Sequence, residues 1–165
     1  MRIIGIDPGY AIVGCGIIDC SGAKVTPVYF APITTPADMP FEQRLRLIYD
    51  ELSLLISKYK PNVMSIEKLF FNTNHKTAID VAQARGVILL SAVNQNIPIF
   101  EFTPLQVKQA LVGYGRAEKK QIQMMTKNLL GLKEIPKPDD VADALALAIC
   151  YTRCANSRLK NIQLR

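Results

Sequence analysis

Apolar residues in the first third of the chain come in short runs separated by turn chemistry. Residues 2–7, 11–19 and 24–34 read as three strands, divided by Pro8-Gly9 and by Ser21-Gly22. Such close spacing with turn residues between predicts an antiparallel meander. The period then changes. Phe41, Leu45, Ile48, Leu52, Leu55 and Tyr59 recur at alternating spacings of four and three, which predicts a helix over 41–59 with one buried stripe and Pro40 at its start. Pro61-Asn62 ends it, and residues 63–66 form a fourth strand that closes on Glu67. A polar loop, KLFFNTNHK, leads to a helix over 77–95 and a fifth strand over 97–102, bounded by Pro98 and Pro104. Three helices over 104–112, 118–130 and 139–155 follow, with Gly113, Gly115 and Gly131 as breaks. A meander followed by strands alternating with helices predicts an α/β fold, one mixed sheet with helices on its faces. In the helix after Thr77, Ala78, Ala82 and Gly86 form a small-residue stripe. It reads first as contact with the sheet, and alternatively as part of a dimer interface, since two-fold dimers are the commonest oligomers.

At 165 residues the chain is most simply one domain, 1–156, followed by a basic tail over 157–165 read as flexible. Hydrophobic residues at 49% and charged residues at 21% are a globular balance. No run approaches the roughly 20 apolar residues of a membrane helix. The N-terminus runs straight into a strand, so neither signal nor transit peptide is expected and the location is expected to be cytoplasmic. Cys15, Cys20, Cys150 and Cys154 form no CxxC pair, and are expected to be reduced and buried rather than disulfide-bonded or zinc-bound.

Charge adds a partner class. The net charge is +6, and residues 103–137 hold seven basic residues (Lys108, Arg116, Lys119, Lys120, Lys127, Lys133, Lys137) against Glu118 and Glu134. A surplus concentrated in one half points to a polyanion, with nucleic acid the first candidate and a solvated basic surface the alternative.

The acidic residues are fewer and better placed. Asp7 closes the first strand and Glu67 the fourth, so both emerge at one sheet edge if those strands are parallel neighbours. The segment KPDDVADALALAIC adds Asp139, Asp140 and Asp143 at the start of the last helix. Asp140 and Asp143, three apart, share a helix face, and Asp139 and Asp143, four apart, also meet. Acids in a first turn also serve as ordinary dipole complements. Two carboxylates about 4 Å apart repel by roughly 4 kcal/mol at an effective dielectric near 20, so four together require cations. All-oxygen ligation suits Mg²⁺ or Mn²⁺ and argues against zinc. The single histidine, His75, and the missing GxxxxGK[ST] loop leave little support for a Ser-His-Asp hydrolase or a P-loop enzyme. Hydrolysis through metal-activated water is then the expected chemistry, and carboxylates beside a basic surface point to a nuclease.

GIDPG, IEKLFF, QARG, QVKQALVGYGRAEK and DDVADALALA, taken in order from Met1 to about Cys154, together resemble the RuvC family of bacterial Holliday-junction resolvases. The resemblance implies a ribonuclease H-like fold with a five-stranded mixed sheet. It also implies a homodimer that cuts two opposed strands of a four-way DNA junction in recombination and repair, with one or two Mg²⁺ (or Mn²⁺) ions per subunit. The RuvA and RuvB branch-migration proteins are implied as partners. Asp7, Glu67, Asp140 and Asp143 match the family's metal-binding acids, with Asp139 a bystander. Phe70 matches an aromatic inserted at the junction, and Phe71 is expected to pack inward. Lys108 and Lys119 match basic positions near the scissile phosphate, while Lys76, Arg116 and Lys120 are candidates for general phosphate contacts. Competing readings are a ribonuclease H-like nuclease acting on RNA–DNA hybrids, an actin-like phosphotransferase lobe, and a non-catalytic DNA-binding module.

Overall fold

The computed structural model describes residues 1–68 and 75–155. Its elements run β1 (Arg2–Asp7), β2 (Ile12–Ser21), β3 (Lys24–Thr34), α1 (Phe41–Tyr59), β4 (Val63–Glu67) and α2 (His75–Val93), then β5 (Ile99–Phe102), α3 (Pro104–Val112), α4 (Lys119–Leu130) and α5 (Asp139–Ala155). One five-stranded sheet has the order β3-β2-β1-β4-β5. The expected meander is there, since β2 pairs antiparallel with both β1 and β3. β1 and β4 are parallel neighbours, and β5 extends the sheet beyond β4 in the same sense. The α/β class and the mixed sheet are thus as the apolar pattern predicts.

Several boundaries shift by one or two residues. The helix expected over 77–95 ends two residues early, where Asn96 adopts a left-handed backbone with φ 57°. The strand expected over 97–102 starts at Ile99, because Pro98 has no N–H to donate and joins the ladder only by accepting from Met64.

Alternation along the strands divides the core in two. Ile4, Ile6, Cys15 and Ile17 face Ile48, Leu52 and Ile56 of α1 and Ala84, Ile88 and Ala92 of α2. Ile3, Ile18, Val63 and Phe102 face the other way, toward Leu145 and Ile149 of α5 and Val107 and Leu111 of α3. The period of two therefore sets Asp7 and Glu67 on the α5 side, in line with Ile3 and Val63. α5 itself is apolar on nearly every side, buried from Ala144 to Cys150. Ser65 pins it by donating a 2.7 Å hydrogen bond to the Leu147 carbonyl oxygen. Cys15, Cys150 and Cys154 are buried as expected, whereas Cys20, near the end of β2, is only half-buried.

The small-residue stripe of α2 does not make the sheet contact that its size predicts. Ala84, Ile88 and Ala92 make that contact, whereas Ala82 and Gly86 are exposed and nothing lies within 4 Å of a Cβ built at Gly86. Ile79, Leu90 and Val93 are also exposed, at 69%, 52% and 59%. Together these five positions form one apolar stripe at helical spacing on the outside of α2. Phe70, Phe71 and the tail over 157–165 lie outside the described residues, as does the Lys76 side chain. No described helix is long and apolar enough to cross a membrane.

Close approach of α5 to the sheet depends on missing side chains beneath it. A Cβ at Gly5 would overlap the Ala144 carbonyl oxygen, and one at Gly14 would overlap the carbonyl oxygen of Asp140. Because backbone and not flexible side chain is met, α5 would have to move. Gly5→Ala is expected to lower unfolding free energy by about 1–3 kcal/mol, read from denaturant melts. An unchanged midpoint would show that the helix relaxes without cost.

Candidate active site

Asp7 reaches the site through its strand. β1 and β4 run in parallel register, Ile3 beside Val63 and Gly5 beside Ser65, and the same offset sets Asp7 beside Glu67. Asp7 is also paired with Gly14 across β2, and Gly14 lies directly under the backbone of Asp140. Asp140 is thereby brought over the end of β1, and Asp143, one turn further along α5, comes with it.

The electrostatics record this crowding. Burial first, and then the neighbouring Glu67, push the Asp7 carboxyl up to about 9, with Asp143 and Asp140 adding to the repulsion. Burial and the hydrogen bond with Glu67 both favour the protonated form of Asp7, whereas the same hydrogen bond favours the charged form of Glu67. Glu67 is nevertheless raised above the usual carboxylate range, by burial and by Asp143. Burial raises Asp143 as well, against the pull of Lys119. All four predicted acids are in one electrostatic cluster. Their oxygens are not drawn together around a single point, for among the described residues no three acidic, histidine or cysteine side chains are set to hold one ion.

Lys119, the first residue of α4, supplies the positive charge present. Its Nζ lies 3.0 Å from Asp143 Oδ2 and 3.5 Å from Asp139 Oδ2. Partial burial disfavours its charge, but Asp143 and Asp139 more than offset this and raise its pKa. Lys119 and Lys108 line a cavity of about 190 Å³ whose wall also contains Glu67, Asp143, Val107, Ile122 and Leu147. The structure thus brings both predicted lysines to the carboxylates. Arg116 is exposed, and Lys120 lines a different groove, with Tyr114 and Met124.

Sequence reasoning passed over two features. Asp139, set aside as a bystander, pairs with both Lys119 and Lys137. Desolvation opposes its charge, yet Lys119 and Lys137 together hold it below the usual carboxylate range. QARG has a structural role, since Arg85 of α2 pairs with Glu101 of β5 in a largely buried ion pair on the sheet face away from the carboxylates. Only the i,i+4 spacing of Asp139 and Asp143 hinted at the first, and nothing local to QARG hinted at the second.

The mixed sheet, with carboxylates at the ends of adjacent parallel strands and on the helix covering them, is a ribonuclease H-like fold. A family model described as crossover junction endodeoxyribonuclease RuvC matches residues 3–151, and the chain belongs to that family. The crossover junction endodeoxyribonuclease RuvC of Alkaliphilus oremlandii is 57% identical over 156 residues, covering 94% of this chain and 95% of that one. Its counterpart from Brevibacillus brevis is 56% identical over 153 residues, 93% and 92% of the two chains. Among solved structures, Thermus thermophilus RuvC superposes with a TM-score of 0.87 at 33% identity, covering 94% and 95%. A second structure of that protein, in complex with a Holliday junction substrate, gives 0.89 at 30% identity over 99% of this chain and all of the other.

The raised carboxyl of Asp7 carries a stability consequence. An acid whose pKa rises from 3.8 to about 9 on folding keeps in the folded state a proton that the unfolded chain has lost. Its contribution is fully present below about pH 4 and is lost as pH rises toward 9. In chelator, the melting temperature of Asp7→Asn should fall less steeply across this window than wild type and exceed it at the alkaline end. Parallel curves for the two proteins would refute the protonated Asp7.

Proposed function

We propose that this chain is a structure-selective endodeoxyribonuclease that resolves four-way DNA junctions in recombination and repair. The observation that carries the reading is the acidic cluster itself, with a carboxyl pushed up to about 9 beside two lysines that line the same cavity. Isolated, such a cluster repels phosphate. With a cation between, it attracts one.

The donor set fits a hard divalent ion, since every candidate ligand is a carboxylate oxygen and the repulsion among them is what an ion relieves. Asp7, Glu67, Asp140 and Asp143 would hold Mg²⁺, with Mn²⁺ as a substitute and one or two ions per subunit. When bound, the ion supplies Lewis acidity toward water and phosphate oxygens. The remaining steps belong to side chains. Asp7 would hold the ion as a carboxylate, its proton leaving because a cation would offset the burial and the neighbouring charge that disfavour the ionised form. Lys119 and Lys108 face the scissile phosphate and stabilise charge that develops on it. Phe70, three residues beyond Glu67, stacks against a base opened at the crossover, which offsets part of an unstacking cost of a few kcal/mol.

A junction with two-fold symmetry is served by a homodimer. The exposed stripe of Ile79, Ala82, Gly86, Leu90 and Val93 supports α2 as the joining surface, its small residues permitting close helix approach and its large ones supplying apolar area. The RuvA and RuvB branch-migration proteins complete the proposed partners, with the cytoplasm as the site of action. An activity on RNA–DNA hybrids is the alternative that the following assay separates.

Wild-type protein with Mg²⁺ should nick a synthetic four-way junction symmetrically and leave linear duplex and RNA–DNA hybrid intact. Asp7→Asn, Glu67→Gln and Asp140→Asn should abolish cutting while binding the junction as tightly or more so. Mg²⁺ should raise the melting temperature of wild type and not of Asp7→Asn. Phe70→Ala should fail on an intact junction yet cut one loosened by mismatches beside the cleavage site. Preferential cutting of the hybrid would overturn the substrate assignment. For the dimer, Leu90→Glu should yield a monomer by light scattering that still binds DNA. A dimer of unchanged mass would move the interface away from α2.

A further inference from the structure

Lys119 is gripped by two carboxylates where one would satisfy it. Its backbone end is fixed at the first turn of α4, where Glu118 and Gln121 form a reciprocal cap, the Gln121 Oε1 accepting from the Glu118 N–H at 2.8 Å. Its ammonium end crosses to α5, 3.0 Å from Asp143 Oδ2 and 3.5 Å from Asp139 Oδ2. Asp143 is the inner partner, with its side chain 28% exposed, and Asp139 the outer, at 44%. The other oxygen of Asp139, Oδ1, lies 3.4 Å from Lys137 Nζ. Each oxygen of Asp139 therefore meets a lysine, and Asp139 is not among the residues lining the cavity of Glu67 and Asp143.

We propose that Asp139 is a positioning residue that keeps the Lys119 ammonium at the mouth of the acidic cavity once Asp143 is engaged by a cation. The inference rests on the reading of Asp143 as a cation ligand and of Lys119 as facing the scissile phosphate. A divalent ion on Asp143 would compete with the ammonium, now 3.0 Å from Oδ2, for the charge of the same carboxylate and would repel it. A lysine released on a flexible four-carbon stem gains rotamer freedom in solvent. Asp139 lies one helical turn from Asp143 and is the more exposed of the two, so it offers the displaced ammonium a second partner outside the four acids read as ligands. Its charge, matched by Lys119 and Lys137, adds no net repulsion toward an incoming phosphate. This chain therefore carries, next to Asp140, an acid whose work is done on a lysine.

Asp139→Asn preserves shape and removes the charge. Single-turnover cutting of pre-bound junction at saturating Mg²⁺ should slow roughly fivefold, the most an exposed pair of this kind biases a side-chain equilibrium. Junction affinity and melting temperature should not change, and Asp139→Glu should recover most of the rate. In a Lys119→Gln background, Asp139→Asn should cost nothing further. Independently of cleavage, the Lys119 ammonium should remain protected from exchange in ¹⁵N NMR spectra of wild type with Mg²⁺, and lose that protection in Asp139→Asn. An unchanged rate in Asp139→Asn, an equal loss in the Lys119→Gln background, or a melting temperature that falls with the rate and is not restored by Asp139→Glu would each overturn the proposal. If wild type leaves the junction uncut, the nuclease reading falls by itself. The ammonium spectra then decide the positioning role, and identical spectra for the two proteins overturn it.

Discussion

The acidic end of this sheet depends on how closely α5 lies on β1 and β2. Helix and sheet ordinarily meet through interleaved side chains, which hold the backbones well apart. Here Gly5 and Gly14 offer no Cβ, and the carbonyl oxygens of Ala144 and Asp140 occupy the space those atoms would take. The alanines of α5 continue the theme, with Ala144, Ala146 and Ala148 almost fully buried. The result is a helix seated low enough that acids in its first turns come level with acids at the strand ends. A larger residue at either glycine would raise the helix and dilute the cluster without changing any carboxylate.

The two faces of the sheet then have separate duties. On the α5 side, alternation places Asp7 and Glu67 in register with buried Ile3 and Val63, so the site is an extension of the core and inherits its rigidity. On the other side α1 and α2 pack on Ile4, Ile6, Cys15 and Ile17, and α2 turns an apolar stripe outward. The Arg85–Glu101 pair ties α2 to the sheet on that side. Its charges are matched to each other, and neither residue is among the groups that shift Asp7, Glu67 or Asp143.

The strands, the helices and their order were legible because their signals are local: a period of two, a period near 3.6, and proline or glycine at the breaks. The acids were legible for a related reason, since each sits at an element's end where a polar residue is conspicuous against an apolar run. What was not legible depends on which side of an element meets what. Ala82 and Gly86 promised a sheet contact by their size, yet the face of α2 that packs is the one with Ala84, Ile88 and Ala92. Small residues occur on both faces of α2, and sequence alone gives no way to choose. The pairing of Asp139 with Lys119 was out of reach for a different reason. Lys119 is twenty positions earlier on another helix, and only the packing of α4 against α5 brings them together. Arg85 and Glu101 share that remoteness. Beyond the ends of helices and strands, then, the residues that read correctly were those whose surroundings are set by their own element.

A final consequence follows from the cost of assembling four acids. Folding forces them together whether or not an ion is present, and something must cancel their charge. The structure offers two compensators: a proton on Asp7, shared with Glu67, and the ammonium of Lys119 on Asp143. A divalent cation would be a third, competing directly with both. Its binding must therefore release the proton and loosen the lysine, so its apparent affinity should strengthen as pH rises toward the raised pKa of Asp7. The same competition would account for a lysine so near four carboxylates, since its ammonium, 3.0 Å from Asp143 Oδ2, offsets charge that a cation would otherwise have to offset. The carboxylate spacing that makes the fold costly is thus also what would give a cation its hold.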